Sequence, residues 1–120
     1  MQKVRNYKEL EIWKKGIELV KIIYKITENF PQKEVFGLTN QIRRAVVSIP
    51  SNISEGQARH HTKEFIQFLY QSLGSLAELD TQTIIAVELN YINQQQKIEI
   101  GNRIIQLQKM IYGLIRKLPA

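Results

Sequence analysis

The sequence predicts an all-α chain folded as an antiparallel up-down four-helix bundle. Three observations carry this reading. Apolar residues recur at helical spacing over most of the 120 residues. No stretch alternates polar and apolar residues with period two, and no Asn-Gly or Asp-Gly pair offers a hairpin turn. The 6 glycines and 3 prolines are few and fall mostly where helices should end.

The spacing predicts a first helix over 7–29. Asn6 with Glu9 three residues later has the pattern of an N-cap and its capping-box partner. Phe30-Pro31 should end the helix, because a residue before proline is pushed out of the helical region. A second helix is expected over 33–55, with Gly56 as the left-handed residue just past its end. Pro50 lies inside it and should bend its last turns or split them off. A third helix is expected over 62–89, with Thr62 as N-cap. A fourth is expected over 94–117, where Asn93 and Gln96 repeat the cap spacing and Pro119 follows the end. Short connections between such helices favour antiparallel neighbours.

The length suits one domain over 1–120, large enough for a hydrophobic core without disulfides. Composition is 43% hydrophobic and 23% charged, close to a soluble globular average. The absence of cysteine excludes disulfides, zinc–thiolate sites, iron–sulfur clusters and thiol catalysis. No segment approaches the ~20 apolar residues of a membrane span. The first residues have no apolar core of a signal peptide, so no membrane partner and a cytoplasmic location are expected.

Signs of catalysis are lacking. His60 and Glu64 stand at i,i+4, which is not the His-Glu-x-x-His spacing of a zinc helix. Gly74-Ser75 lacks the second glycine of a nucleophile elbow, and no phosphate-cradling glycine loop occurs. No enzyme, no metal and no cofactor are expected. Gly74, Ser72, Ser75 and Ala77 fit close helix contact instead.

Two helices carry more apolar surface than one core needs. On a wheel of about 100° per residue, the apolar residues of the first helix, from Ile12 and Trp13 to Tyr24 and Ile26, cover about 220°. A surface helix needs little more than ~100°. The fourth helix has one stripe of Ile100, Ile104, Leu107, Ile111, Leu114 and Leu118, and a second of Ile98, Ile105, Tyr112 and Ile115. Wide apolar surface is rarely left bare, so a homo-oligomer is expected.

Gln41, Arg44, Ser48, Asn52 and Glu55 share one face of the second helix, beside the apolar stripe that starts at Leu38. Gln71, Ser75, Glu78 and Gln82 form a comparable row on the third. The two rows fit either a polar site for a ligand or nucleic acid, or a hydrogen-bond network that fixes helix register. A partly buried Arg44 should pair with Glu78 or Glu55.

Net charge is +6, unevenly spread. Residues 1–60 hold 11 basic and 6 acidic side chains, 61–93 hold 1 and 4, and 94–120 hold 5 and 1. Lys14, Lys21 and Lys25 share a stripe of the first helix, interleaved with Glu11, Glu18 and Glu28. Arg103, Lys109, Arg116 and Lys117 lie on the fourth. These are the candidate nucleic-acid contacts, against a solvated mixed-charge face as the alternative. Exposed aromatics for base stacking are not evident, so little sequence preference is expected.

The run from Gln41 to Gly56, with Arg44-Ala45-x-x-Ser48-x-x-x-Asn52-Ile53-x-Glu55-Gly56 at its centre, resembles the 23S rRNA-intervening-sequence protein family. Tyr7-x-x-Leu10-x-Ile12-Trp13, Phe30-Pro31-x-x-Glu34-x-x-Gly37-Leu38, Lys63-Glu64-Phe65-x-x-Phe68-Leu69 and Gly74-Ser75-Leu76-x-Glu78-Leu79-x-Thr81-Gln82 match as well. Ser54 stands where the family commonly has alanine. The resemblance implies a bacterial four-helix bundle assembling as a ring-shaped homopentamer, with no known catalytic activity. Some relatives are encoded inside insertions of large-subunit ribosomal RNA genes. Others are similar to retroelement accessory proteins that bind nucleic acid and a reverse transcriptase. It supplies no established site residues, so Gln41, Arg44, Ser48, Asn52, Glu55, Gly56, Ser75 and Glu78 stand as candidates. The function expected is an oligomeric, non-enzymatic bundle associating with RNA or a nucleic-acid-handling protein. The alternative is a protein-interaction scaffold.

Overall fold

The amphipathic segments fold into four long helices, α1 (Glu11–Thr27), α2 (Leu38–Ala58), α3 (Thr62–Glu88) and α4 (Gln94–Lys117). The computed structural model describes residues 6–119. Residues 1–5, read above for a targeting signal, lie outside the described residues. Consecutive helices pack side by side and α4 closes against α1, giving a bundle of 46 × 24 × 20 Å. No strand occurs among the described residues.

The start of α1 differs from expectation. Asn6 accepts a hydrogen bond from the Lys8 N–H at 2.9 Å and caps a separate 3₁₀ turn, Tyr7–Glu9. Leu10 is extended and restarts the chain as α1, so Glu9 is not a capping-box partner. The tight 3₁₀ turn brings the second N–H, not the third, to the cap. Trp13 meets Tyr7 edge-on at 5.5 Å between ring centres. The helix closes at Thr27, and Glu28 and Asn29 continue only as i→i+3 bonded turns.

α2 begins later than the periodicity suggested, after a 3₁₀ turn at Gln32–Glu34. Glu34 organises this entry. Its Oε1 accepts the Leu38 N–H at 3.0 Å, satisfying a donor of the first turn. Pro50 neither splits nor ends α2, which runs continuously to Ala58. The ring is buried against Gly16 of α1, where an added Cβ would lie 3.3 Å from Pro50 Cβ. This burial against α1 accompanies a helix that continues through the missing N–H.

Gly56 is a second correction. It lies inside α2, and the left-handed residue after the helix is His60, at φ 60°. An added Cβ at Gly56 would stand 2.5 Å from Phe68 Cβ, so this glycine permits close approach of α2 and α3. Thr62 is the first helical residue of α3, and His61 holds the cap position without a side-chain bond. At the other end Asn90, at φ 63°, donates to the Val87 carbonyl and Tyr91 donates to that of Ala86. This is a Schellman closure with asparagine in the glycine position. The capping box of α4 forms as expected, with Asn93 and Gln96 bonded reciprocally at 2.8 and 2.9 Å.

The core takes one stripe from each helix: Leu19 and Ile23, then Ile42, Val46, Ile49 and Ile53, then Leu69, Leu76 and Leu79, then Ile100, Ile104, Leu107 and Ile111. Burial of each such side chain contributes about 1.5–3 kcal/mol. Most of the wide apolar arc of α1 is buried or half-buried within the protomer, with Tyr24 left exposed. The second stripe of α4 is different. Ile98, Ile105 and Tyr112 are 59%, 49% and 46% exposed, on a helix whose other face already fills the core.

Candidate functional site

The polar rows of α2 and α3 meet at one point. Ser48 Oγ lies 2.6 Å from Ser75 Oγ and 2.6 Å from the Ala45 carbonyl. One turn along, the buried Ser72 hydroxyl donates to the Ile49 carbonyl at 2.9 Å. These bonds fix the register of the two helices. Asn52 is half-buried, while Gln41, Glu55, Gln71 and Glu78 face outward. Gln82 of the α3 row is buried instead, and its Oε1 has no hydrogen-bond partner among the described residues.

The expected Arg44–Glu78 pair does not form. Both side chains are exposed, and Arg44 has no ion pair among the described residues. Helical spacing places residues on a face but does not give their distance from the bundle axis. Glu55 pairs at 3.7 Å with Arg59, which also reaches Glu64 at 3.5 Å and lies over the Phe68 ring. All three ends are solvent-exposed, where such pairs contribute at most about 1 kcal/mol.

The residue that is fixed is Arg43. Its Nε donates to Thr27 Oγ1 at 2.8 Å and its Nη2 to the Tyr24 carbonyl at 3.3 Å. The guanidinium carbon stands 4.5 Å from the centre of the Tyr24 ring. The Thr27 hydroxyl in turn donates to the Ile23 carbonyl at 2.7 Å. Beside this stack runs an open groove of about 590 Å³ along the outer face of α2. Asn40, Arg44, Val47 and Ser51 line it at successive spacings of four, three and four, and Tyr24, Arg43 and Ser48 complete it. Sequence reading missed Arg43, Asn40 and Ser51 and placed Tyr24 only in the apolar arc. The regular spacing about Arg44 was the one available signal; the contact with α1 is tertiary.

The candidate cations divide into paired and free. Lys14 contacts Glu11 at 3.4 Å, and Arg103 lies between Glu18 at 3.7 Å and Glu99 at 4.0 Å. Lys21, Lys25, Lys109, Arg116 and Lys117 are exposed without an ion pair among the described residues. The expectation that exposed aromatics are wanting is overturned. Tyr24, Tyr70 and Tyr112 are partly exposed, and Phe36 is 93% exposed in the turn before α2.

One titratable pair is perturbed. The Leu38 N–H, then the Tyr91 hydroxyl at 2.7 Å from Oε2, hold the Glu34 carboxyl below the usual carboxylate range against the opposing effect of burial, with the charge of Lys33 adding least. The same bond to Glu34, with burial and the carboxylate charge, pushes the Tyr91 phenol up. No group of three or more His, Cys, Asp or Glu among the described residues is placed to hold a metal ion. No helix among them is long and apolar enough to cross a membrane.

The family model described as 23S rRNA-intervening sequence protein matches residues 8–113. The chain belongs to this family. The match takes in all of α1, α2 and α3 and α4 up to Gly113. In this 23S rRNA-intervening sequence family chain, the groove on α2 and the exposed stripe of α4 therefore both lie inside the matched region. A crystal structure from Bacteroides thetaiotaomicron VPI-5482, described as a protein with unknown function from the S23 ribosomal protein family, is similar at 25% identity with a TM-score of 0.78. The similarity covers 88% of this chain and 99% of that one. No curated protein matches.

Proposed function

We propose that this chain is a non-enzymatic, self-assembling helical bundle that associates with RNA, or with a nucleic-acid-handling protein, through basic surface. The observation that carries the reading is the division of its surface. Exposed large apolar side chains concentrate on the α3–α4 side: Tyr70, Ile84, Ile85, Ile98, Ile105 and Tyr112. The α1–α2 side presents Lys21, Lys25 and Arg44 without ion pairs among the described residues. Assembly through the apolar side would leave Lys21, Lys25 and Arg44 facing outward, repeated once per subunit, while Lys109, Arg116 and Lys117 stand on α4 beside that side. Weak phosphate contacts then add by multivalency. The assembly we propose, from the family resemblance, is a homopentamer.

Sedimentation and RNA retention test the two halves. A stable interface should bury more than about 1,000 Å² and persist at micromolar concentration. RNA retention should weaken by orders of magnitude between low and physiological salt, because binding releases condensed counterions. A species of only 14.0 kDa would overturn the assembly. Absence of retention at ~50 mM salt would overturn the RNA role. The protein-interaction scaffold would then stand, favoured by the exposure of Phe36.

A further inference from the structure

Two guanidinium groups and no carboxylate line the groove on the outer face of α2. That imbalance selects an anion. Arg43 is already ordered by Thr27, the Tyr24 carbonyl and the Tyr24 ring. Two of its five N–H groups are engaged, and the others remain for a ligand. Little side-chain freedom is lost when such a group binds. Arg44, one residue on, is exposed and uncommitted. Asn40 and Ser51, also exposed, supply neutral hydrogen-bonding groups on either side of it. Tyr24 and Val47 supply apolar surface between the polar groups.

We infer that this groove binds a single-stranded nucleic-acid segment, with a phosphate between Arg43 and Arg44 and an unstacked base against the Arg43–Tyr24 stack and Val47. The inference rests on the nucleic-acid reading above and assigns it a place. A guanidinium matches phosphate oxygens with paired donors, which an ammonium cannot do. Aromatic faces and guanidinium planes accept unpaired bases, whereas the bases of a duplex are stacked away inside it. By helical spacing, Lys21 lies beside Tyr24 on the outer face of α1, where the strand would leave the groove.

The test is fluorescence anisotropy with the full chain and a labelled unstructured oligonucleotide, in RNA and DNA forms, against a duplex of equal length. Both single strands should bind at least about tenfold tighter than the duplex, because stacking enters only for unpaired bases. Arg44→Glu should lower single-strand affinity by about tenfold or more, and Arg43→Lys should do so while keeping the charge. Tyr24→Leu should remove most of the preference for single strands. Arg44 is exposed, so circular dichroism of its variant should match the parent. Equal binding of duplex and single strand would overturn the base contact. Wild-type affinity in Arg44→Glu, with loss in a Lys14, Lys21 and Lys25 to Glu triple variant, would overturn the groove while leaving RNA association standing. Failure of the parent chain to bind any oligonucleotide would overturn both.

Discussion

α2 and α3 are joined by contacts that admit one register, whereas α4 is joined to the rest chiefly by generic apolar burial. Between α2 and α3, Gly56 lies under Phe68, Ser48 meets Ser75, and Ser72 bonds the Ile49 carbonyl. α4 adds a core stripe and an exposed Arg103–Glu18 pair, and leaves Ile98, Ile105 and Tyr112 of its second stripe in solvent. One half of the bundle is thus specified within the protomer. The other half has surface to spare, which is what an assembly requires.

The comparison breaks first at Gly56. Gly56→Ala forces a methyl against Phe68 Cβ, and overpacking of this kind costs about 1–3 kcal/mol. Gly74 is the contrast: an added Cβ there meets nothing within 4 Å. Gly74→Ala should stabilise by about 1 kcal/mol through helix propensity alone. Urea melts of the two variants should move in opposite directions. Ile105→Lys probes the other half. It should weaken self-association about tenfold or more, roughly 1.4 kcal/mol, while the helical signal is kept. Sedimentation equilibrium reads the first effect and circular dichroism the second.

Glu34 joins the two ends of the tight half, linking the start of α2 to Tyr91 beyond α3. Its carboxyl is held below the usual range in the folded state, so folding favours the ionised form. That contribution is present above the unfolded carboxyl pKa and is lost as pH falls through the lower folded value. Tyr91 runs the opposite way. Its raised phenol contributes below the ordinary tyrosine value and loses that contribution as pH rises through the folded one. Thermal melts across pH should show both slopes in the parent, the acid one lost and the alkaline one reduced in Glu34→Gln, since burial alone still raises the Tyr91 phenol. The smallest effect is expected at Arg44. Arg44→Ala and Lys25→Ala should both change stability by no more than about 0.5 kcal/mol, since both are exposed and unpaired.

What could be read in the sequence follows the range of the interaction. The Asn93–Gln96 box spans three residues and was legible, as were the core stripes of α2 and α4. Gly56 was misread because a helix end and a tight crossing both select glycine. Only the position of Phe68 decides between them. Asn6 was recognised as a cap, but the 3₁₀ turn it closes depends on Leu10 being extended. Arg43 was passed over for Arg44 because its partners, Thr27 and Tyr24, lie on another helix. The polar rows were placed on the right faces, and the serine pair joins them, but wheel positions alone could not tell Ser48 from Arg44 in depth.

The single tryptophan has a practical consequence. Trp13 sits in the first turn of α1, and Tyr7 of the preceding 3₁₀ turn covers one edge of its ring. Its emission is therefore a built-in optical gauge of that corner. Tyr24 lies eleven residues further along the same helix, about 16 Å away at 1.5 Å per residue. A strand bound at the α2 groove leaves the fluorophore's surroundings unchanged, while undocking of the amino-terminal turn wets it directly. Fluorescence and far-ultraviolet dichroism recorded together thus separate fraying of this corner from melting of the bundle, with no label added.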